Sequence, residues 1–224
     1  MLINMSKPKA IIFDAYGTLF DVNSAAEKSK NKIGDKWEAF ANYWRTTQLE
    51  YTWLRSLMRR HKDFWQITED SLDKSMKVFN IDKDMKTELL NLYKKLSPFS
   101  EVKETLKNLK KKEMKLSILS NGTPELLNTL VVSNKFDTIF DDIFSIEEAG
   151  IYKPNSKVYD LPVNKYKIKP NEIIFLSANT WDVSGGGNYG YNSVWVNRNN
   201  TVFDNLDYKP FKEIKSLQQL LDIV

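Results

Sequence analysis

Five short apolar runs limit how this chain can fold: KAIIFDAY (9–16), MKLSILS (114–120), TIFDDIFSI (138–146), EIIFLSA (172–178) and NSVWVNR (192–198). Each is rich in Ile, Phe, Leu or Val, and most end at a turn signal, which predicts buried strands. From residue 100 onward helical patterns stand between them: VKETLKNLKKK, PELLNTLVV and SKVYDLPVNKY. Such alternation predicts a parallel sheet covered on both faces. Gly17, Gly122 and Gly150 fall at or just beyond strand ends, where an open α/β sheet gathers its ligand-binding loops.

Residues 20–97 lack strand runs and read as helical. Trp37, Phe40, Trp44, Tyr51, Leu54 and Met58 follow helical spacing. Leu49, Trp53 and Leu57 form a second stripe, so this helix is expected to be buried on more than one side. Asp82 is positioned to cap KDMKTELLNLYKKL. A chain of 224 residues accommodates one domain with a sizeable insertion. The reading is therefore a core of residues 1–19 and 98–224 and a helical insertion of residues 20–97, with Pro98 marking the return.

Composition narrows the chemistry. With no Cys and a single His, His61, the chain has no disulfide scaffold, thiolate metal site, cysteine nucleophile, His-containing triad or multi-His zinc site. His61, in MRRHKDF, is expected to be a solvated surface residue. Catalysis must rest on carboxylates, Lys, Arg, hydroxyls and amides. The net charge of +4 comes from scattered lysines, and the run Lys110–Lys112 reads as a solvated helix end rather than a nucleic-acid patch. Ile3 and Met5 sit among polar residues, so no secretory leader is expected. No stretch approaches the ~18 apolar residues of a membrane span. The expected location is cytoplasmic.

Polar residues collect at successive strand ends. The first run ends in Asp14, followed by Tyr16, Gly17 and Thr18; the second in Ser120, Asn121 and Gly122. The third is followed by Lys153, and the fourth by Ser177, Asn179 and Asp182. A carboxylate at Asp14 can be a nucleophile, or merely end a strand; four strand ends with complementary chemistry favour a shared site.

FDAYGTLFDV, LSNGTP, YKP and SANTWD, in this order, resemble the four motifs of the haloacid dehalogenase superfamily. WRTTQLEYTWLRSLM is similar to the cap of the L-2-haloacid dehalogenases, and NRNNTVFDNL extends the likeness, which runs from about Ile11 to Phe203. The superfamily's phosphatases carry a second Asp, the general acid, where this chain has Tyr16. A phenol with a pKa near ~10 is a poor proton donor at neutral pH, whereas a halide needs no proton to leave.

The resemblance implies an α/β, Rossmann-like core with a helical cap and no cofactor or metal. It also implies hydrolysis of small (S)-2-haloalkanoates to (R)-2-hydroxy acids and halide. Asp14 attacks C2, halide leaves, and water hydrolyses the aspartyl ester with overall inversion. Ser120, with backbone N–H groups near Ala15, Tyr16 and Asn121, neutralises the substrate carboxylate. Lys153 holds Asp14 ionised, Thr18 bonds it, and Asp182 with Ser177 and Asn179 positions the water. Arg45 accepts the halide, assisted by Asn121. Tyr16, Leu49, Phe64 and Trp181 form an apolar wall, and Tyr159, at a family position near Lys153, has a supporting role.

Three departures bear on substrate range and rate. Thr46 stands where the family often has Gln, Ala178 replaces a commoner Ser, and Gly185, Gly186 and Gly187 are expected to loosen the helix after Asp182. Asp182 also has the local reading of a helix N-cap. Two other functions stay open here: a Mg²⁺-dependent phosphatase using Asp14 and Asp182, and a non-catalytic binding protein. A homodimer is expected from exposed cap aromatics and from the resemblance; neither nucleic acid nor membrane is an expected partner.

Overall fold

The computed structural model describes residues 8–112 and 114–224; Ile3 and Met5 lie outside the described residues. The five apolar runs form strands β1 (Ala10–Phe13), β2 (Lys115–Ser120), β3 (Asp142–Ser145), β4 (Ile173–Ser177) and β5 (Asn192–Val196). A sixth strand, β6 (Lys212–Ile214), completes a parallel sheet of order β3-β2-β1-β4-β5-β6. β6 escaped sequence reading because it is three residues long, and its Lys212 and Glu213 are exposed, as suits a protected sheet edge. The third run yields strand only from Asp142; the preceding Thr138–Asp141 turns, and Asp141 exchanges backbone and side-chain hydrogen bonds with Leu116.

β1 lies between β2 and β4, so the chain moves to opposite sides of β1 and leaves a crevice at its C-terminal end. In register, Phe13 pairs with Ile118 and Leu176. This registry puts Asp14 level with Ser177, and Ser120 one residue farther along β2 on the other side. Every residue of β1 and β4 is buried, as expected of strands covered on both faces.

Between β1 and β2 the chain makes helices α1 (Ser24–Lys28), α2 (Lys30–Ile33), α3 (Trp37–Leu57), α4 (Phe64–Phe79) and α5 (Lys86–Tyr93). Asp82 caps a 3-10 turn, Lys83–Met85, that leads into α5. This helical cap joins the core through a paired neck: Asp21 N–H donates to Ser97 O at 2.8 Å and Phe99 N–H to Leu19 O at 3.1 Å. Phe20 and Pro98 face each other across it. We propose the domain boundaries, residues 19/20 and 97/98, at this neck.

The expected apolar stripe on α3 holds only in its first half. Phe40 and Trp44 are buried, but Leu54, Leu57 and Met58 are 50%, 81% and 60% exposed. The inward face passes instead through Thr47, Gln48 and Thr52, whose burial is tolerated where their polar atoms find partners; Thr52 Oγ1, for one, donates to Leu49 O at 2.6 Å. No aromatic residue is among the exposed large side chains of the described residues, so the exposed cap aromatics expected from sequence are absent there; the exposed apolar residues are aliphatic or Met.

The core continues with α6 (Val102–Lys110), α7 (Pro124–Ser133), α8 (Ser156–Tyr166) and α9 (Thr180–Tyr189). α9 runs unbroken through its three glycines, contrary to expectation. A Cβ at Gly185 would lie 2.5 Å from the Tyr159 hydroxyl, one at Gly186 2.7 Å from Phe175, and one at Gly187 1.9 Å from the Tyr208 ring. The glycines let α9 pack closely against its neighbours. None of the described helices is long and apolar enough to cross a membrane.

Candidate active site

Asp14 leaves β1 with its N–H bonded to Leu176 O, so the ladder orients the residue up to the crevice. Its Oδ2 accepts from Thr18 Oγ1 at 2.9 Å, Asn179 Nδ2 at 2.9 Å and Ser177 Oγ at 3.3 Å. Its Oδ1 meets the Lys153 ammonium at 3.2 Å. Thr18 Oγ1 also accepts from Ala178 N–H, and Asn179 N–H donates to Ser177 Oγ, so loops after β1 and β4 lock each other.

Lys153 is completely enclosed and lies between two carboxylates, with Asp182 Oδ2 at 2.8 Å. Burial works against its charge, but Asp14 and Asp182 outweigh it and hold the ammonium above the ordinary lysine value. Asp182 is not the helix N-cap; Asn179 has that position and Asp182 lies in the first turn of α9. Burial pushes Asp182 up to about 6, Asp14 adds to the rise and Lys153 opposes it. Tyr159 donates its hydroxyl to Asp182 Oδ1 at 2.7 Å, and burial beside that carboxylate raises the phenol well above its usual value.

The β2 loop supplies Ser120 and Asn121, both buried. Gly122 N–H donates to Ser120 Oγ at 3.2 Å, and Lys153 N–H to Asn121 Oδ1 at 3.2 Å, tying the loops after β2 and β3 together. Ala15 is buried directly after Asp14. From the cap, Arg45 Nη2 donates to Tyr16 O at 3.4 Å, a carbonyl that also accepts from Asn179 Nδ2 at 3.2 Å. The apolar wall comes in two pieces. The Tyr16 and Phe64 ring centroids lie 5.1 Å apart, while Trp181 meets Trp53 edge-on at 5.4 Å. Leu49 is half-buried one turn beyond Arg45, and Thr46 is exposed. A cavity of about 550 Å³ opens beside Lys153, bounded by Trp53, Leu57, Tyr152, Pro154 and Trp181.

Sequence reasoning missed several supporting side chains. Arg198 Nη2 donates to Thr18 O at 2.9 Å, its Nε donates to Glu101, and it stacks 4.0 Å from the Phe99 ring, so it pins the loop after Asp14. Its place in NRNNTVFDNL, just beyond β5, was the signal. Gln48, Thr68 and Tyr93 form a buried polar group behind Arg45. His61 is exposed, but its Nε2 lies 2.9 Å from Glu147 Oε2 and its ring 5.2 Å from Tyr152, bridging cap and core.

Comparison with known proteins finds a family and close structural likenesses. The family profile described as haloacid dehalogenase-like hydrolase matches residues 8–190. The chain is 37% identical over 215 residues to (S)-2-haloacid dehalogenase 4A of Burkholderia cepacia, covering 95% of this chain and 93% of that protein. It is similar to the crystal structure of a dehalogenase, with TM-score 0.95, 34% identity and coverage of 100% and 99%. It is also similar to an L-2-haloacid dehalogenase from Xanthobacter autotrophicus with chloropropionic acid covalently bound, with TM-score 0.90, 29% identity and coverage of 96% and 98%.

Proposed function

From its place among the (S)-2-haloacid dehalogenases of the haloacid dehalogenase-like hydrolase family, to which the chain belongs, we propose that it hydrolyses (S)-2-haloalkanoates to (R)-2-hydroxy acids through an ester on Asp14. The observation that carries this reading is the asymmetry of the Asp14 carboxylate. Among the described residues three donors hold Oδ2, whereas Oδ1 has the Lys153 ammonium alone and keeps a lone pair for attack. Asp14 Oδ1 forms a bond to C2 from the face opposite the halogen, and the C–X electron pair leaves as halide. Water then adds to the Asp14 carboxyl carbon as Asp182 takes one of its protons; the adduct breaks its bond to the C2 oxygen, which takes that proton from Asp182, so the hydroxy acid departs with inverted configuration and the regenerated Asp14 carboxyl ionises. The covalently bound chloropropionic acid in the Xanthobacter enzyme supports an intermediate of this kind.

Two further groups suit the first step. Ser120 and the loop N–H groups beside Ala15, Tyr16 and Asn121 neutralise the substrate carboxylate, which must approach an anionic nucleophile. Arg45, assisted by Asn121, receives the halide. Tyr16 favours this leaving group over an alkoxide: burial holds its phenol far above the usual value, so it delivers no proton at neutral pH.

The test is halide release from (S)- and (R)-2-chloropropanoate in EDTA, beside phosphate release from phosphomonoesters with Mg²⁺. Halide from the (S) form alone is expected. Phosphate release without halide would replace this reading with the phosphatase.

A further inference from the structure

The Arg45 guanidinium is gripped from within the cap more firmly than from the core. Its bond to Tyr16 O is long at 3.4 Å, while its Nη1 donates to Gln48 Oε1 at 2.9 Å, one turn along α3. Gln48 Nε2 donates to Thr68 Oγ1 on α4 at 2.7 Å and to the Tyr93 hydroxyl on α5 at 3.0 Å. Gln48, Thr68 and Tyr93 are all buried. Thus three cap helices converge on a single amide behind the arginine.

The network has a defined direction. The Thr68 hydroxyl gives its one proton to Phe64 O at 2.7 Å, so its oxygen meets Gln48 as an acceptor. That forces the Gln48 nitrogen toward Thr68 and turns its carbonyl oxygen to Arg45, which can only donate. The Tyr93 phenol, raised by burial, stays protonated and is 3.3 Å from the same Gln48 oxygen. Because this partner is a neutral amide, it orients the guanidinium without cancelling its charge. A carboxylate here would compete with any anion for it.

We propose that Gln48, backed by Thr68 and Tyr93, is a positioning residue that sets the Arg45 guanidinium for the departing halide. This rests on the assignment of Arg45 as halide acceptor. Its signature is dependence on the leaving group, because chloride, a poorer leaving group than iodide, relies more on the guanidinium.

The experiment measures single-turnover halide release from (S)-2-chloro-, 2-bromo- and 2-iodopropanoate in the wild type, Gln48→Met, Gln48→Glu, Tyr93→Phe, Arg45→Ala and Arg45→Ala/Gln48→Met. Misplacing an aligned group lowers rates by up to about 100-fold. Gln48→Met and Gln48→Glu are expected to slow chloride release roughly tenfold or more, and iodide release much less. Ester hydrolysis is expected to stay unchanged, and Gln48→Met to add nothing once Arg45 is gone. Tyr93→Phe, removing one hydroxyl, gives a smaller effect of the same pattern, which keeps the test open if Gln48→Met does not fold. Equal losses for all three halides, or additive losses in the double variant, overturn the proposal in favour of simple packing. If Arg45→Ala is indifferent to the halide, the Arg45 assignment falls and takes the proposal with it. If Arg45→Ala is halide-dependent and the Gln48 variants are not, only the proposal falls.

Discussion

At the end of β1 the Asp14 carboxylate meets four side chains from three strand-end loops, Thr18, Lys153, Ser177 and Asn179. On the cap, Arg45 has one neutral partner on its own helix and one long bond to a core carbonyl. The core site is thus held on every side by a sheet whose register leaves it little freedom. The cap reaches the same crevice through few contacts and a two-stranded neck. In the proposed mechanism, therefore, the nucleophile is fixed by the fold, while the leaving-group end is brought to it by a separate layer. Substitutions in the two regions should therefore differ in size and in kind.

The largest effect is expected at the centre of the core. Asp14→Asn is nearly isosteric but far less nucleophilic, and halide release should fall by about 10⁴-fold or more with the circular dichroism spectrum unchanged. Undiminished release would remove the covalent mechanism. Lys153→Ala leaves two buried carboxylates facing each other without their cation. A loss of about 3–5 kcal/mol in denaturant stability, with turnover down roughly 1,000-fold, is expected from removing one partner of a buried ion pair. Near-wild-type turnover would make Lys153 a bystander.

The next prediction separates the two chemical steps within the core. Asp182 is pushed up to about 6 in the free enzyme, chiefly by burial; the ester keeps that burial but loses the Asp14 charge, so the Asp182 carboxylate is lost as pH falls below that value. Hydroxy acid release should slow about tenfold per pH unit below it, as for loss of a general base. Rapid-quench measurements at pH 5 should then find a burst of halide and an accumulated ester. An acid limb near the ordinary carboxylate value of ~4 would take Asp182 out of the hydrolytic step. The smallest effect is expected at the solvent end of α3. Leu57→Ser should change thermal stability by less than about 0.5 kcal/mol, because its side chain is mostly in water already. A large loss in a concentration-dependent melt would reveal that another surface covers this end.

Legibility followed the same division. The strand-end motifs were readable because each candidate side chain in the core follows a short apolar run, so order along the chain predicts assembly across the sheet. α3 was read less well. Its apolar spacing fits two stripes, but the buried face runs through Thr47, Gln48 and Thr52, and the Gln48 partners, Thr68 and Tyr93, lie on other helices. Glycines 185–187 carried the opposite signal from their role, since nothing local says that Tyr159, Phe175 and Tyr208 crowd α9. The role of Arg198, within NRNNTVFDNL, was invisible because its partners, Gly17, Thr18, Glu101 and Phe99, are remote in sequence.

By itself the sequence determined the parallel α/β core, the inserted helices and the identity of the groups around Asp14. Apolar runs dictate burial, and turn residues dictate where the strands stop. Only the tertiary structure decided which oxygen of Asp14 is left with a single partner, how one lysine serves two carboxylates, and what stands behind Arg45. Those depend on distances of about 3 Å between residues more than 100 positions apart in the case of Asp14 and Lys153, a scale that sheet register and helix packing set and local pattern does not.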